Sequence, residues 1–182
     1  TTVNGLSGKT LGVQGKSAAI TGDFGTAAAA TVQLTGSSAV AGGATNAVVN
    51  LVGDGIKTVT VNGSGRATID ATGAAVETLN INATGSLTLN AAAEAASIKT
   101  INAAGSTATV NLGTTAFTAA ETITTGSGND TFTVGLTTAG KTATVNSGAG
   151  NDTISVGTGV VNVNINAGAG DDNIVFTRAL TA

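Results

Sequence analysis

The sequence predicts an all-β chain that winds into a parallel β-solenoid of about eight coils, each about 20–22 residues long. Three observations lead to this prediction. Apolar and polar residues alternate with the period of a strand. The alternating segments recur at even steps along the chain, and glycine-rich turns separate them. A repeat of this length cannot bury its own apolar face, whereas stacked copies can.

The composition favours a regular β structure and excludes several classes of function. The chain has 182 residues, enough for one domain, and only 9% are charged. Disordered chains are poor in β-branched residues, but here Val, Ile and Thr recur in alternation. A net charge of −3 argues against a nucleic-acid partner, and no apolar run is long enough for a transmembrane segment. The chain lacks an initiator Met and a signal peptide, which predicts a mature product or a piece of something larger.

The first strand of each coil begins near a polar residue that recurs at the same position of the repeat and that we call the anchor. Every step from one anchor to the next is an even number of residues. These anchors are Thr58, Thr78, Thr100, Thr122, Thr142 and Asn162. Because side chains alternate between faces, even steps keep the residue after each anchor on the inner face. The predicted inner column is Val59, Leu79, Ile101, Ile123, Ala143 and Val163.

A second alternating segment follows each first strand after a turn. These segments are Ala67–Ile69, Leu87–Leu89, Ala108–Leu112, Phe132–Val134, Ile154–Val156 and Ile174–Phe176. The irregular corners Ala91–Ala96 and Gly113–Ala119 are predicted to be loops or a short helical turn. Lys9–Val13 and Thr31–Thr35 carry weaker traces of the repeat. The step from Thr31 to Thr58 is odd in length, so we expect a bulge or a longer loop there.

Two sets of polar residues are predicted to form columns on the outside of the solenoid. Asn62, Asn82 and Asn146 lie at strand ends and predict side-chain amide ladders between coils. Residues of opposite charge alternate in a second column. Strict alternation would place them on the inner face, so the strand must turn a corner for these side chains to reach solvent. These residues are Lys57, Glu77, Lys99, Glu121 and Lys141. Exposed pairs are worth roughly 0–1 kcal/mol each, so the column would fix the register more than it stabilises the fold, and isolated surface charges are the alternative.

Three copies of one loop motif occur near the end of the chain: Gly126–Phe132, Gly148–Ile154 and Gly168–Ile174. In each, two glycines separated by one small residue permit a tight turn, an Asp follows, and a large apolar residue starts the next strand. Carbonyls and carboxylates, without any His or Cys, are the oxygen ligands that Ca²⁺ prefers. One loop cannot supply a full shell of such ligands, but two stacked loops can. The alternative is that Gly-Asn-Asp is simply favourable turn chemistry.

The pattern G-x-G-[ND]-D-x-[FI] resembles the RTX nonapeptide G-G-x-G-x-D-x-U-x, which binds Ca²⁺ between successive turns of a parallel β-roll. It departs from that family in having Thr125, Ser147 and Ala167 before the first glycine, and in its longer repeat. The resemblance implies that Asp130, Asp152 and Asp172 bridge about two ions, one in each gap between loops. The remaining implied ligands are Gly126, Gly128, Asn129, Gly148, Gly150, Asn151, Gly168, Gly170 and Asp171.

These assignments divide the solenoid into regions. We expect irregular N-terminal coils in 1–55, regular calcium-free coils in 56–119, RTX-like calcium-binding coils in 120–176 and a tail in 177–182. In the calcium-free coils Gly63–Arg66 has an Arg in place of the acid. Calcium is therefore expected to stiffen the C-terminal half.

The function expected from the sequence is structural. The chain has no His, Cys or Tyr, and its paired carboxylates already belong to the calcium motif, so no catalytic site is predicted. Composition, repeats and motif resemble bacterial surface-layer proteins and large repeat adhesins, which implies a secreted protein at the cell surface. Neither end has a capping helix, and open solenoid edges favour self-association into a lattice or filament. A cell-surface polysaccharide is a further expected partner. The alternatives are an adhesin or an ice-binding module, and a calcium-folded secretion segment of a larger protein.

Overall fold

The computed structural model describes residues 2–14, 19–35, 47–71, 75–92, 94–157 and 162–177. Within these residues the chain is all-β, without a helix, and its parallel strands form a solenoid of about 7 turns. The predicted fold class is therefore confirmed, and the predicted number of coils is close. These residues contain no helix that is long and apolar enough to cross a membrane.

Each turn contributes one strand to each of two parallel stacks. The first stack contains β2 (Thr10–Gln14), β4 (Ala29–Thr35), the first halves of β6 (Thr58–Asp70) and β7 (Thr78–Asn90), β8 (Thr100–Asn102), β10 (Thr122–Thr124), β12 (Ala143–Asn146) and β14 (Val163–Asn166). The second stack contains β1 (Thr2–Val3), β3 (Ala19–Asp23), β5 (Ala47–Val52), the second halves of β6 and β7, β9 (Val110–Phe117), β11 (Thr131–Val134), β13 (Thr153–Val156) and β15 (Asn173–Phe176). Strands β6 and β7 run through both stacks. Their pairing with each other is interrupted between Gly63 and Gly65, and the two halves of β6 on either side pair with β4 and with β5.

The core is built from columns of identical or similar apolar residues. Val59 pairs with Leu79, Leu79 with Ile101, and Ile101 with Ile123, as predicted. All four are at most 1% exposed. Fully burying a side chain of this size contributes roughly 1.5–3 kcal/mol, so repeated columns of this kind hold the coils together.

The continuation of this column was predicted two residues too early. Ile123 pairs with Val145 and Val145 with Ile165, so Ala143 and Val163 do not continue it. Any even step between coils keeps the same side chains facing inward, so the alternation of apolar and polar residues cannot show whether a step is two residues shorter or longer. The corner between β11 and β12 is two residues longer than the one between β13 and β14, which makes the step from β10 to β12 longer than predicted. The corresponding outward anchors are Thr144 and Asn164, not Thr142 and Asn162.

The two corners predicted to be loops differ in the structure. The described residues of Ala91–Ala96 form turns, in which the N–H groups of Glu94 and Ala95 bond to the carbonyls of Ala91 and Ala92. The prediction was wrong for Gly113–Phe117, because β9 continues as a strand to Phe117, and the turn follows only at Thr118 and Ala119. The Phe117 side chain is fully buried and anchors this extension in the core. Pairing of β9 with β11 is irregular as a result.

The N-terminal coils follow the same plan with a longer step. The predicted segments Lys9–Val13 and Thr31–Thr35 form most of β2 and β4, which pair in register. Thr58 lies beside Ala29 and not beside Thr31, so the step between these coils is longer than the sequence suggested. Residues 36–46 of this step lie outside the described residues, as does the predicted tail from 178 onward.

The predicted column of alternating charges is present on the exposed side for Lys57, Glu77, Lys99 and Glu121, but the next position belongs to Ala143 and not to Lys141. Lys57 and Lys99 both contact Glu77, at 3.7 and 3.1 Å, and Lys141 contacts Glu121 at 3.2 Å. The Lys99 ammonium is the main cause that lowers the pKa of Glu77. All five side chains are about half exposed, so these pairs contribute little free energy and chiefly match one coil to the next.

The predicted amide ladder is shorter than expected. The Asn82 side chain donates a hydrogen bond of 2.8 Å to the Asn62 side-chain oxygen. Asn146 was wrongly placed in this ladder, because it lies in another column between Thr124 and Asn166.

Candidate metal centre

The three glycine-rich loops lie directly above one another at one corner of the solenoid. They connect β10 to β11, β12 to β13 and β14 to β15, and Ala149 and Ala169 form a parallel bridge between the last two. Gly148 and Gly150 have φ angles of 92° and 117°, which side chains rarely adopt. The turn therefore requires glycine at these positions.

Close stacking gives a second reason for glycine. A Cβ atom at Gly148 would collide with the Gly126 carbonyl oxygen, and one at Gly150 with the Gly128 carbonyl. The same relation is repeated one coil further, for Gly168 on Gly148 and Gly170 on Gly150. Carbonyl oxygens of one loop thus approach the α-carbons of the next loop.

The three aspartates predicted to bridge the ions are stacked in successive coils, and we call them the aspartate column (Asp130, Asp152 and Asp172). The Asp152 carboxylate accepts a 2.8 Å hydrogen bond from the N–H of Asp130, and the Asp172 carboxylate one of 2.9 Å from the N–H of Asp152. Asp130 likewise accepts from the N–H of Val110 at 2.7 Å. Each carboxylate therefore caps the backbone of the preceding coil. Asp130 and Asp152 are 1% exposed, and Asp172 is half-buried.

The second carboxylate oxygen of the two buried aspartates is unsatisfied. Oδ2 of Asp130 and of Asp152 is buried and has no hydrogen-bond partner among the described residues. The Thr125 hydroxyl, close to Asp130, instead donates to the Ser147 carbonyl at 2.7 Å, and the Ser147 hydroxyl donates to the Ala167 carbonyl at 2.6 Å. Burial is the main cause that raises the pKa of both Asp130 and Asp152, and the next aspartate in the column adds to it. The Thr125 hydroxyl beside Asp130 and the Ser147 hydroxyl beside Asp152 act in the opposite direction on these pKa values, although both hydroxyls are donated to carbonyls.

The predicted neutral ligands lie on the exposed rim of the same corner. The side-chain oxygen of Asn129 accepts a 2.9 Å hydrogen bond from the N–H of Asn151, and that of Asn151 a 3.0 Å bond from the N–H of Asp171. The Asx residues thus hold one loop to the next, and Asp171 ends the series with an exposed side chain.

The chemistry of this corner fits a hard cation. Its donors are all oxygens, and a buried carboxylate oxygen without a partner has a strong need for a proton or a cation. Among the described residues no three acidic, His or Cys side chains converge on one point. The aspartate column would therefore provide one carboxylate per loop, and carbonyl or hydroxyl oxygens would have to complete any coordination shell.

The hydroxyl residues at this corner have a structural role that the loop motif did not predict. Thr125 and Ser147 are at most 3% exposed, and each bonds to the loop above. In the loop below, the Ser106 hydroxyl accepts a 2.9 Å bond from the N–H of Ala83 and donates to the Ile81 carbonyl at 3.2 Å. The available signal was a small hydroxyl residue just before the first glycine in two of the three repeats.

Comparison of the chain with protein-family models, curated proteins and solved structures finds no match.

Proposed function

We propose that this chain is a structural, self-associating extracellular protein, a surface-layer lattice component or filament subunit, stabilised by Ca²⁺ bound between its stacked Gly-Asp loops. The observation that supports this proposal best is the unsatisfied Oδ2 of Asp130 and of Asp152 inside the aspartate column. An ionised carboxylate is rarely buried without a partner, because the loss of hydration is costly.

A calcium ion would meet this need with the oxygens that the corner provides. Asp130, Asp152 and Asp172 would supply the charge, and the glycine carbonyls and the Asn129 and Asn151 side chains of adjacent loops would supply neutral ligands. Two gaps separate three loops, so about two ions are expected. Extracellular calcium is abundant enough to fill sites with dissociation constants of about 10⁻⁴–10⁻³ M. Each ion would join two coils, so binding would stiffen this end of the solenoid.

The self-association part of the proposal concerns the coil formed by β14 and β15. Among the described residues, β14 and β15 each pair with only one neighbour. Ile174, Val175 and Phe176 are 39%, 40% and 38% exposed. A coil of a second copy placed against this surface would bury these side chains and pair with β14 and β15, as coils already do within the chain.

Negative-stain electron microscopy with added Ca²⁺, and then with a chelator, tests the proposal. Ordered filaments or sheets that dissolve on chelation are the expected result. The variant Phe176→Lys should prevent assembly while leaving the circular dichroism spectrum unchanged, because this side chain is already exposed. A wild-type protein that stays monomeric, with the same spectrum and stability in both conditions, would contradict both parts of the proposal.

One observation favours a second candidate function, that of a ligand-binding module. An uncharged groove of about 330 Å³ lies on the outer side of β9, β11 and β13. Its lining includes Gly135, Gly157 and hydroxyl-bearing residues such as Thr118, Thr133 and Ser155. A neutral, hydroxyl-rich ligand such as a surface polysaccharide would suit it. Retention of the chain on an immobilised neutral polysaccharide, lost in Gly157→Leu, would support this function.

A further inference from the structure

The outward side chains of the first stack form an array of threonines and asparagines from β6 to β14, which we call the Thr/Asn face. Pairing of successive strands places one residue of each coil in a first column, and none of these residues is buried. The column consists of Thr58, Thr78, Thr100, Thr122, Thr144 and Asn164. The residue two positions further along each strand forms a second column and is likewise Thr or Asn in every coil.

The Thr/Asn face repeats regularly in two directions. Its strands keep one register across the face, so that neighbouring coils place equivalent side chains about 4.8 Å apart. Along each strand the two outward residues are about 6.6 Å apart. The second stack lacks this regularity, because the pairing of β9 with β11 shifts register. A ligand that contacts many positions of the Thr/Asn face at once must therefore have its own two-dimensional repeat.

Strand formation alone does not explain the composition of the Thr/Asn face. Thr is favoured in strands, but Asn is depleted there, and an ordinary protein surface is rich in charged residues. Here the charged residues lie at the border, since Lys57, Glu77, Lys99 and Glu121 directly precede the first column. Within the described part of the chain, the threonine hydroxyls of this column form no hydrogen bonds, whereas the Thr125 hydroxyl bonds to a neighbouring coil. The hydroxyl groups of the face are thus free to bind a ligand.

We propose that the Thr/Asn face binds ice, separately from the self-association proposed above. Ice is a lattice of water that repeats in two directions at spacings close to those of the face. Hydroxyl and amide groups at fixed positions can hydrogen-bond a layer of water in the same arrangement, and a charge would orient that water differently. Crystalline polysaccharide also has a repeating surface, but flat stacking on sugar rings needs exposed aromatic rings. The chain has no Trp or Tyr, and Phe24, Phe117 and Phe132 are buried.

Thermal hysteresis and ice-crystal shape, measured on the whole chain with Ca²⁺ present, test the proposal. The wild type should lower the freezing point below the melting point and give faceted crystals. Thr100→Lys should lose most of this activity, because a long charged side chain in the middle of the face separates it from the ice surface. Thr144→Lys should do the same, and it is the variant least disturbing to the fold because Thr144 is already exposed. The control Thr88→Lys, on the outer side of the second stack, should keep the activity of the wild type.

Circular dichroism of each variant separates loss of the face from loss of the fold. A folded wild type that has no effect on ice would overturn the proposal. Full activity in a folded Thr144→Lys, or an equal loss in Thr144→Lys and Thr88→Lys, would also overturn it, because the Thr/Asn face would then not be the binding surface. Wild type that leaves ice unchanged but sediments with microcrystalline cellulose, while Thr144→Lys does not, would assign the face to a polysaccharide instead.

Discussion

The substitution Gly150→Ala examines how closely the glycine-rich loops stack. Gly150 has a φ angle of 117°, and an added Cβ would lie 2.7 Å from the Gly128 carbonyl carbon and 3.0 Å from the Asn129 side-chain oxygen. An alanine in a left-handed conformation costs about 1–2 kcal/mol. Forcing a methyl group into close-packed backbone costs about 1–3 kcal/mol more. We therefore expect a loss of about 2–5 kcal/mol, a large part of the stability of an ordinary domain.

Gly140→Ala is the matched control, because it separates the backbone cost from the collision. Gly140 has a φ angle of 76°, but an added Cβ would meet nothing within 4 Å. This variant should lose only about 1–2 kcal/mol. Urea unfolding followed by far-ultraviolet circular dichroism measures both variants, since the chain has no Trp or Tyr for fluorescence. Equal losses in the two variants would refute the close stacking of the loops.

Three further predictions concern acid response, the core and the surface. In the presence of a chelator, the raised pKa values of Asp130 and Asp152 mean that the stability they contribute is complete below their unfolded pKa and is lost as the pH rises through the folded pKa. The urea midpoint should therefore rise on mild acidification from neutral pH, and a steady fall would contradict the buried placement. Ile123→Ala should cost about 2–5 kcal/mol by urea unfolding, against less than about 0.5 kcal/mol for the exposed Thr144→Ala, and similar losses would refute the register. Lys99→Ala breaks an exposed ion pair and should leave the thermal midpoint almost unchanged, so a clear fall in the midpoint would show that the charge column stabilises the fold.

The sequence predicted the fold through one physical rule, the alternation of side chains along a strand. Alternation and even steps placed Val59, Leu79, Ile101 and Ile123 in one buried column. The same rule could not choose between a shorter and a longer even step, so the last coils were misaligned. Lys141 and Thr142 contributed to this error, because they repeat the pair of a charged residue and Thr that begins the earlier coils. In the structure Thr144, not Thr142, pairs with Thr122, and the Lys141 side chain still reaches Glu121.

The candidate site was predicted in position but not in orientation. The motif placed Asp130, Asp152 and Asp172 in adjacent loops, and the structure stacks them in that order. That their carboxylates cap the N–H groups of the preceding coil depends on contacts between residues a full coil apart in sequence, which the motif does not reveal. The burial of Glu94, which is only 4% exposed, was missed for a similar reason, since an isolated acid in an alanine-rich corner is normally expected to be solvated.

Calcium counting on Asp152→Asn tests the central claim most directly. Asp152 belongs to the middle loop and therefore to both gaps, and its substitution by Asn removes the charge while keeping the bond from the Asp130 N–H. Equilibrium dialysis at neutral pH should show that Asp152→Asn binds fewer ions than wild type, whereas the control Asp54→Asn binds the same number. If Asp152→Asn and Asp54→Asn bind equal numbers of ions, the aspartate column does not bind calcium.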